Sequence, residues 1–540
     1  MNADLEWLKS RWKLPESAVP AVRDLLEAES NGSTACVLEK PVPDWGKAAG
    51  APGSNAPIVL VEADGRTFLQ SRAAHLAEQS IAKRLLELAN AEPVSCNNLQ
   101  ATLGALFPGA GKDDRQAEAA RLAATRSLAI VTGGPGTGKT YSLARALVLL
   151  LVGGTDPRTI RLAAPTGKAA QRMKSAVEQA AAALPGAFAA HTPALGQVAA
   201  TSSTVHSLLG YSPERGTCRP LPPRTTVILD EASMVDLDMW RALLHNLPRD
   251  GRLILLGDPN QLESVGRGSV LATLATTPAL AKNRVHLTEA RRFKDRPAIQ
   301  KLAEAIAACD GKAAASIFRN SPGEGVTWVP GGPRGLPVSD FPGEILARLE
   351  AIARAENPEA ALNATTRVCV LTAQREFFVG AKAVSTQIAA ALAARGPVRF
   401  HPIIINRNDP ETGLRNGQVG VVGDTPDGRT AWFHDGSTGL REFRLAALPE
   451  HAPAWALTIH RSQGSEYDDV MVVLPRSSSP LATRELLYTA ITRARRSVFV
   501  VGDPATVESA ASRPSGRTSL LAWQFQHQNS SQKSQTQKIG

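Results

Sequence analysis

The chain has 540 residues, 43% of them hydrophobic and 20% charged, enough for several well-packed domains and too apolar for a disordered or small disulfide-stapled protein. Sixty lysines and arginines against 50 aspartates and glutamates leave a net charge of +10, which favours an acidic polymer such as nucleic acid as partner. The five cysteines (Cys36, Cys96, Cys218, Cys309, Cys369) form no CxxC pair for zinc or redox chemistry; the N-terminus has no signal-peptide core and no apolar run reaches the ~20 residues of a membrane span, so the chain reads as cytoplasmic, without membrane contact.

Residues 1–115 read as a helical N-terminal domain, with Ala and Leu at helical spacing most clearly from Thr67 to Ala89, after a Gly/Pro-rich stretch near Pro41–Pro57. From Leu128, apolar strands alternate with helical runs: LAIVT, IRLAA, TVILD, RLILLGD and RVHL predict a parallel, doubly wound sheet in a first α/β domain over 116–335. A second set, Val368–Leu371, Val470–Leu474 and Val498–Val501, predicts a second α/β domain over 336–396 and 451–525. Between its halves, 397–450 carries short strand-like pieces (Val398–Ile405, Gln418–Val422, Thr430–His434, Arg441–Leu445) separated by Asn/Asp/Gly turns, the pattern of a small inserted β-barrel. The Gln/Ser/Lys-rich residues 526–540 read as a disordered tail.

GGPGTGKT, Gly133–Thr140, matches GxxxxGK[ST] between a strand and a helix beginning near Tyr141. In that context the backbone of Gly133, Gly134, Pro135, Gly136, Thr137 and Gly138 surrounds ATP phosphates, Lys139 reaches the terminal ones and the Thr140 hydroxyl ligates Mg²⁺. Asp230 and Glu231 end a downstream apolar strand; Asp230 suits a water-mediated Mg²⁺ contact and Glu231 suits orienting and deprotonating the attacking water. Gln261, in GDPNQ after a third strand, suits a γ-phosphate sensor, and Gln116, 17 residues before Gly133, can bond both polar edges of adenine. Arginines aimed at the charge that grows on phosphate are expected among Arg292 in TEARRF and Arg493 in YTAITRARR. The block Ala456–Gly502 places a polar cluster (Thr458, His460, Ser462, Gln463, Ser465, Glu466) before a strand, then a helix expected to end in Arg493, Arg495 and Arg496, so a cationic helix end can serve a phosphate held elsewhere in the chain.

The order GGPGTGKT, LAAPTGKAAQRM, VILDEASMVD, LLGDPNQLESV, RRF, TIHRSQGSEYD, YTAITRARR resembles that of superfamily-one helicases. RNDPETGLRNGQVG, the LPEH segment and TRELLYTAITRARRS narrow the resemblance to the RecD-like branch, over about Arg115–Arg513. It implies two RecA-like domains with an SH3-like barrel inserted, and an ATP-driven 5′→3′ translocase on single-stranded DNA. That motor would unwind duplex DNA within a RecBCD-type exodeoxyribonuclease V, in double-strand break repair and recombination. It implies partners RecB and RecC, DNA cutting by RecB, and RecC docking through the N-terminal domain. By matching position, Lys139, Thr140, Asp230, Glu231, Gln261, Arg292 and Arg493 take the ATPase roles. Pro165, Thr166 and Lys168, with Thr204, His206, Thr458, His460, Ser462 and Gln463, would contact DNA phosphates and sugars without reading bases.

Three departures accompany the resemblance. EARRF has alanine where the family commonly has an aromatic, so Arg291 and Arg292 both stay open as the site arginine. Only a short stretch, including YSPERGTCRPLPPR, separates His206 from Thr225, room for a short strand-separating hairpin at most. QREFFVGAK matches its counterpart loosely and assigns Arg375 no role. The alternatives are a stand-alone RecD-like helicase, for which a ~115-residue N-terminal segment is short, a non-motor P-loop ATPase, and a structural subunit with a degenerate ATP site.

Overall fold

The computed structural model describes residues 2–536 apart from 97, 110, 112–113, 213–215, 290–292, 294–295, 321–323, 332–335, 436–438, 476–478 and 503. Helices are present at the N-terminus, Asn2–Trp12 and Val19–Ser30, but they pack on a four-stranded sheet of order β1-β4-β3-β2. Its strands are β1 (Ala35–Val37), β2 (Ala49–Gly50), β3 (Ile58–Ala63) and β4 (Arg66–Ser71). The helical run expected from Thr67 therefore begins at Arg72, because Thr67–Ser71 pairs with β3 and the Ser71 side chain caps the helix Arg72–Ala89 by accepting from Ala74 N. The small core around Val22, Leu25, Ile58 and Leu69 is separate from the larger ones, whereas helix Arg72–Ala89 buries Ile81 and Leu85 against Trp240 and Ile130 of the neighbouring unit.

That unit is built on β5 (Leu128–Gly133), β6 (Ile160–Ala164), β7 (Ser203–Thr204), β8 (Thr226–Leu229), β9 (Arg252–Gly257) and β10 (Arg284–Leu287), in the order β10-β5-β9-β8-β6-β7. Every pairing is parallel. Helices cover both faces, so β5, β8 and β9 are buried along their length and read as continuous apolar runs. The loops that follow β5, β6, β8 and β9 emerge at one edge of this sheet, where parallel sheets place ligands.

The chain crosses into the second parallel sheet earlier than residue 336. Phe293 and helix Pro297–Ala307 already pack in its core, and β11 (Val326–Pro330) pairs with its last strand. After β12 (Val368–Thr372) comes the insertion: β13 (Phe400–Ile405), β14 (Val419–Thr425), β15 (Gly428–Asp435), β16 (Gly439–Arg444) and β17 (His451–Pro453). Its antiparallel order is β16-β15-β14-β13-β17, a five-stranded sheet at the place where the small inserted β-barrel was expected. The short turn Leu445–Ala447 leads from β16 on one edge to β17, which pairs with β13 on the other, so the sheet curls on itself. The parallel sheet resumes with β18 (Ala456–Thr458), β19 (Tyr467–Val473) and β20 (Ala494–Gly502), in the order β11-β20-β19-β12-β18.

Helix Leu521–Thr536 runs into the expected tail 526–540, and its Leu521 and Phe525, just ahead of that tail, are buried in the core of the first parallel-sheet unit. This return of the chain is locked by the buried Glu78 carboxylate, which accepts hydrogen bonds from Thr34 (2.6 Å), Gln70 (2.7 Å) and Ser519 (2.6 Å). Burial raises its pKa against those donors. Glu78→Ala strands the buried Thr34 and Gln70 donors and the half-buried Ser519 hydroxyl and is expected to cost roughly 3 kcal/mol, read as a lower melting temperature and faster proteolysis of the C-terminal helix. No helix among the described residues is long and apolar enough to cross a membrane.

Candidate nucleotide and nucleic-acid site

The tight connection from β5 to helix Lys139–Val152 depends on glycine at two places. Gly136 and Gly138 adopt φ of 75° and 87°, and a Cβ at Gly138 would clash with Gln116. Lys139 Nζ donates to the Gly133 and Gly134 carbonyls at 2.6 and 3.0 Å. Gln116, held at the start of helix Arg115–Thr125 by the Asp114 cap, donates from Nε2 to the Thr137 carbonyl at 2.8 Å. Its Oε1 is buried without a hydrogen-bond partner.

Pro135–Thr140 line a cavity of about 230 Å³ together with Asp230, Glu231, Gln261 and Arg493. The second sheet thus contributes Arg493 to the wall opposite the P-loop. Arg493 is 2% exposed and is aimed by hydrogen bonds from Nε to Thr489 O (3.1 Å) and Nη1 to Ser465 O (3.3 Å). Asp230 accepts from Glu231 N at 2.9 Å; burial and then the Glu231 charge push its pKa up to about 6, with Lys139 and Arg172 opposing. Glu231 itself sits in the left-handed region at φ 51°, an unusual conformation for a glutamate. Gln261 is buried, with Nε2 donating to Asp258 (3.2 Å) and Oε1 unpartnered. Arg292 and Arg291 lie outside the described residues.

The expected DNA residues separate into two groups. Thr204 and Thr458 end strands, Thr166 lies two residues past β6, and each caps the helix that follows, accepting from Ser207 N, Arg461 N and Ala169 N respectively. Pro165 and Lys168 are half-buried beside Thr166, and burial lowers the Lys168 pKa. His206 is exposed and packs edge-on to Tyr211 at 5.4 Å, while His460 is half-buried, its pKa lowered by burial and then by Arg517. Ser462 and Gln463 depart from the expectation. Ser462 is fully buried and donates to the Ile459 carbonyl (2.7 Å); Gln463 is buried and donates to Leu262 O (3.0 Å), so both face protein.

Gln463 takes part in a set of contacts that bind the two parallel-sheet units across the cleft. Tyr488 OH donates to Asp258 (3.0 Å), Leu262 N donates to Thr489 Oγ1 (2.7 Å), and Arg172 pairs with Glu466 while donating to Gly464 O (3.3 Å). Sequence reading missed Arg172, Asp258, Tyr488 and Thr489 as site residues. The available signals were Arg172 one helical turn after Lys168, Asp258 three residues before Gln261, and Tyr488 within the YTAITRARR motif. Arg495 and Arg496 prove to lie on β20, since helix Arg484–Ile491 ends earlier than expected; they pair with Glu466 and the buried Asp469.

A family model for the AAA domain matches residues 111–322, and one for the UvrD-like helicase C-terminal domain matches 453–501. The RecBCD enzyme subunit RecD of Mycolicibacterium smegmatis is 36% identical over 83% of this chain and 80% of its own, and that of Haemophilus influenzae is 30% identical over 76% and 72%. The ATP-dependent RecD2 DNA helicase of Deinococcus radiodurans is 30% identical over 75% of this chain and 51% of its own. Among solved structures, Pif1 helicase from Candida albicans is 14% identical over 78% of this chain and 99% of that one, with a TM-score of 0.40, a likeness too loose to place residues.

Proposed function

The chain belongs to the RecD family of superfamily-one DNA helicases, and from that footing we propose that it is the 5′→3′ single-strand motor of a RecBCD-type exodeoxyribonuclease V, working with RecB and RecC homologues in cytoplasmic double-strand break repair and recombination. It is an ATP-dependent DNA helicase. The observation that carries the motor reading is Arg493, brought by one parallel-sheet unit to the cavity that holds the P-loop of the other. A phosphate bound there is contacted from both sides, so its hydrolysis changes what holds the cleft together.

Lys139 and the P-loop backbone hold the ATP phosphates, and the unpartnered Gln116 Oε1 is suited to accept from the adenine amino group. The Thr140 hydroxyl and Asp230 carboxylate are hard oxygen donors on one cavity wall and fit Mg²⁺, which would neutralise charge on the phosphate oxygens. Glu231 orients and deprotonates the water, while Gln261 senses the γ-phosphate. Its loop meets Gln463 through Leu262, and four residues before Gln463 the same segment carries Ile459, beside Thr458 and His460. That short path couples hydrolysis to the DNA grip, which falls to Pro165, Thr166, Lys168, Thr204, His206, Thr458 and His460.

ATPase and unwinding assays with tailed duplexes test the reading. Single-stranded DNA should stimulate ATPase, 5′-tailed duplexes should be unwound in preference to 3′-tailed ones, and binding should weaken as salt rises. ATPase indifferent to single-stranded DNA would point to a non-motor P-loop enzyme. A stand-alone RecD-like helicase is favoured if the purified chain fails to co-elute with RecB and RecC homologues.

A further inference from the structure

The loop between β12 and the helix Ala381–Ala394 displays two adjacent aromatic side chains, Phe377 at 76% and Phe378 at 75% exposure. Paired rings this open to water are unusual on a soluble surface and mark a contact that is completed by something else. They are not on a loose loop. Gly380 N donates to Phe377 O (3.0 Å), Ala381 N to Gln374 O (2.9 Å), Lys382 N to Arg375 O (3.1 Å) and the Thr372 hydroxyl to Gln374 O (2.9 Å). The closure is tight enough that any side chain at Gly380 would collide with the Glu376 carbonyl. Phe377 also holds φ at 71°, a conformation disfavoured for a bulky aromatic and kept here by the closed loop.

The loop's position says what the rings face. β12 pairs in parallel with β18, and Thr372 stands in register with Thr458. The loop carrying Phe377 and Phe378 and the helix Ile459–Ser462 carrying His460 and Arg461 therefore leave the same end of neighbouring strands. Arg375 lies close enough to Arg461 for their charges to oppose each other, which together with burial lowers the Arg461 pKa. Arg375 and Lys382 flank the rings along the chain, with Arg461 near Arg375; Glu376, paired at 3.8 Å with both Arg375 and Lys382, and Glu450 near Arg461 are the acidic groups beside them.

We propose that Phe377 and Phe378 form a base-stacking platform for the single strand gripped at Thr458 and His460. Exposed aromatic faces ringed by cations are the general solution for holding single-stranded nucleic acid without reading its sequence, since every base has a π-face and every linkage a negative charge. The inference rests on the DNA-motor reading above and adds base contacts to one that otherwise engages only phosphates and sugars.

The test uses the full chain and the F377A/F378A double variant, whose exposed positions leave the core intact; an unchanged melting temperature checks that. Oligothymidylate and an abasic strand of equal length are the probes. The wild type should bind the base-bearing strand about tenfold or more tighter than the abasic one, the double variant should bind both alike, and a double Phe→Tyr variant should restore the preference. Equal affinity of wild type and double variant for oligothymidylate overturns the platform, as does a double variant that still discriminates against the abasic strand. Loss of co-elution with RecB and RecC homologues at unchanged DNA affinity also overturns it, by making the rings a protein contact. A wild type that binds neither strand would instead sink the DNA reading itself, so the two failures are distinct.

Discussion

Arg493→Ala is expected to lower ATP turnover by about 10³-fold or more while changing ATP affinity far less, because the partner charge of the guanidinium grows only as the phosphoryl group transfers. The geometry supports a preorganised arginine. Two of its donors are anchored on Thr489 O and Ser465 O, and its side chain is buried on the wall facing the P-loop. Arg493→Lys should recover little, since an ammonium cannot hold two protein acceptors and a phosphate in one planar array. Steady-state kcat and KM, with a binding measurement for a nonhydrolysable ATP analogue, separate the possibilities. A loss confined to binding would reassign Arg493 to a ground-state contact, and a fall in melting temperature matching the loss of activity would make it structural.

Glu231→Gln should bind ATP normally and lose turnover by about 10²–10⁴-fold, since the substitution keeps shape and removes only the base. The position is prepared for that role: β8 ends, Asp230 takes the Glu231 N–H, and the backbone turns left-handed so that Glu231 enters the cavity one residue after Asp230. Turnover that survives in the variant would move the base elsewhere. Single-turnover hydrolysis with bound nucleotide measured separately is the decisive pair of measurements.

Much of the nucleotide site was legible because its chemistry is local. A P-loop needs its glycines, lysine and threonine within eight residues, and an acidic pair at a strand end is visible in VILDEAS. The parallel sheets were legible as continuous apolar runs, for strands covered on both faces cannot alternate. Other features escaped for equally physical reasons. The N-terminal sheet is made of strands of two to six residues broken by Gly and Pro, too short to show a period. The C-terminal helix is polar in composition, and its apolar anchors Leu521 and Phe525 are buried in a core built by distant segments. Ser462 and Gln463 carry side chains typical of a DNA-facing loop, yet the one-turn helix rotates them inward.

The sequence by itself therefore determined the candidate residues: the phosphate-loop motif Gly133–Thr140, the strand-ending pair Asp230 and Glu231, and an arginine some 350 residues away proposed to complete the site. These follow from residue type and short spacing. Only the tertiary structure decided how the two halves of the block Ala456–Gly502 are wired. It put Gln463 on Leu262 and Tyr488 on Asp258, sent Arg495 and Arg496 onto a strand, and lifted Phe377 and Phe378 to the sheet edge beside Thr458. Those contacts join residues more than 80, and in two cases more than 200, positions apart, and their partners are chosen by strand register and packing, which no local pattern records.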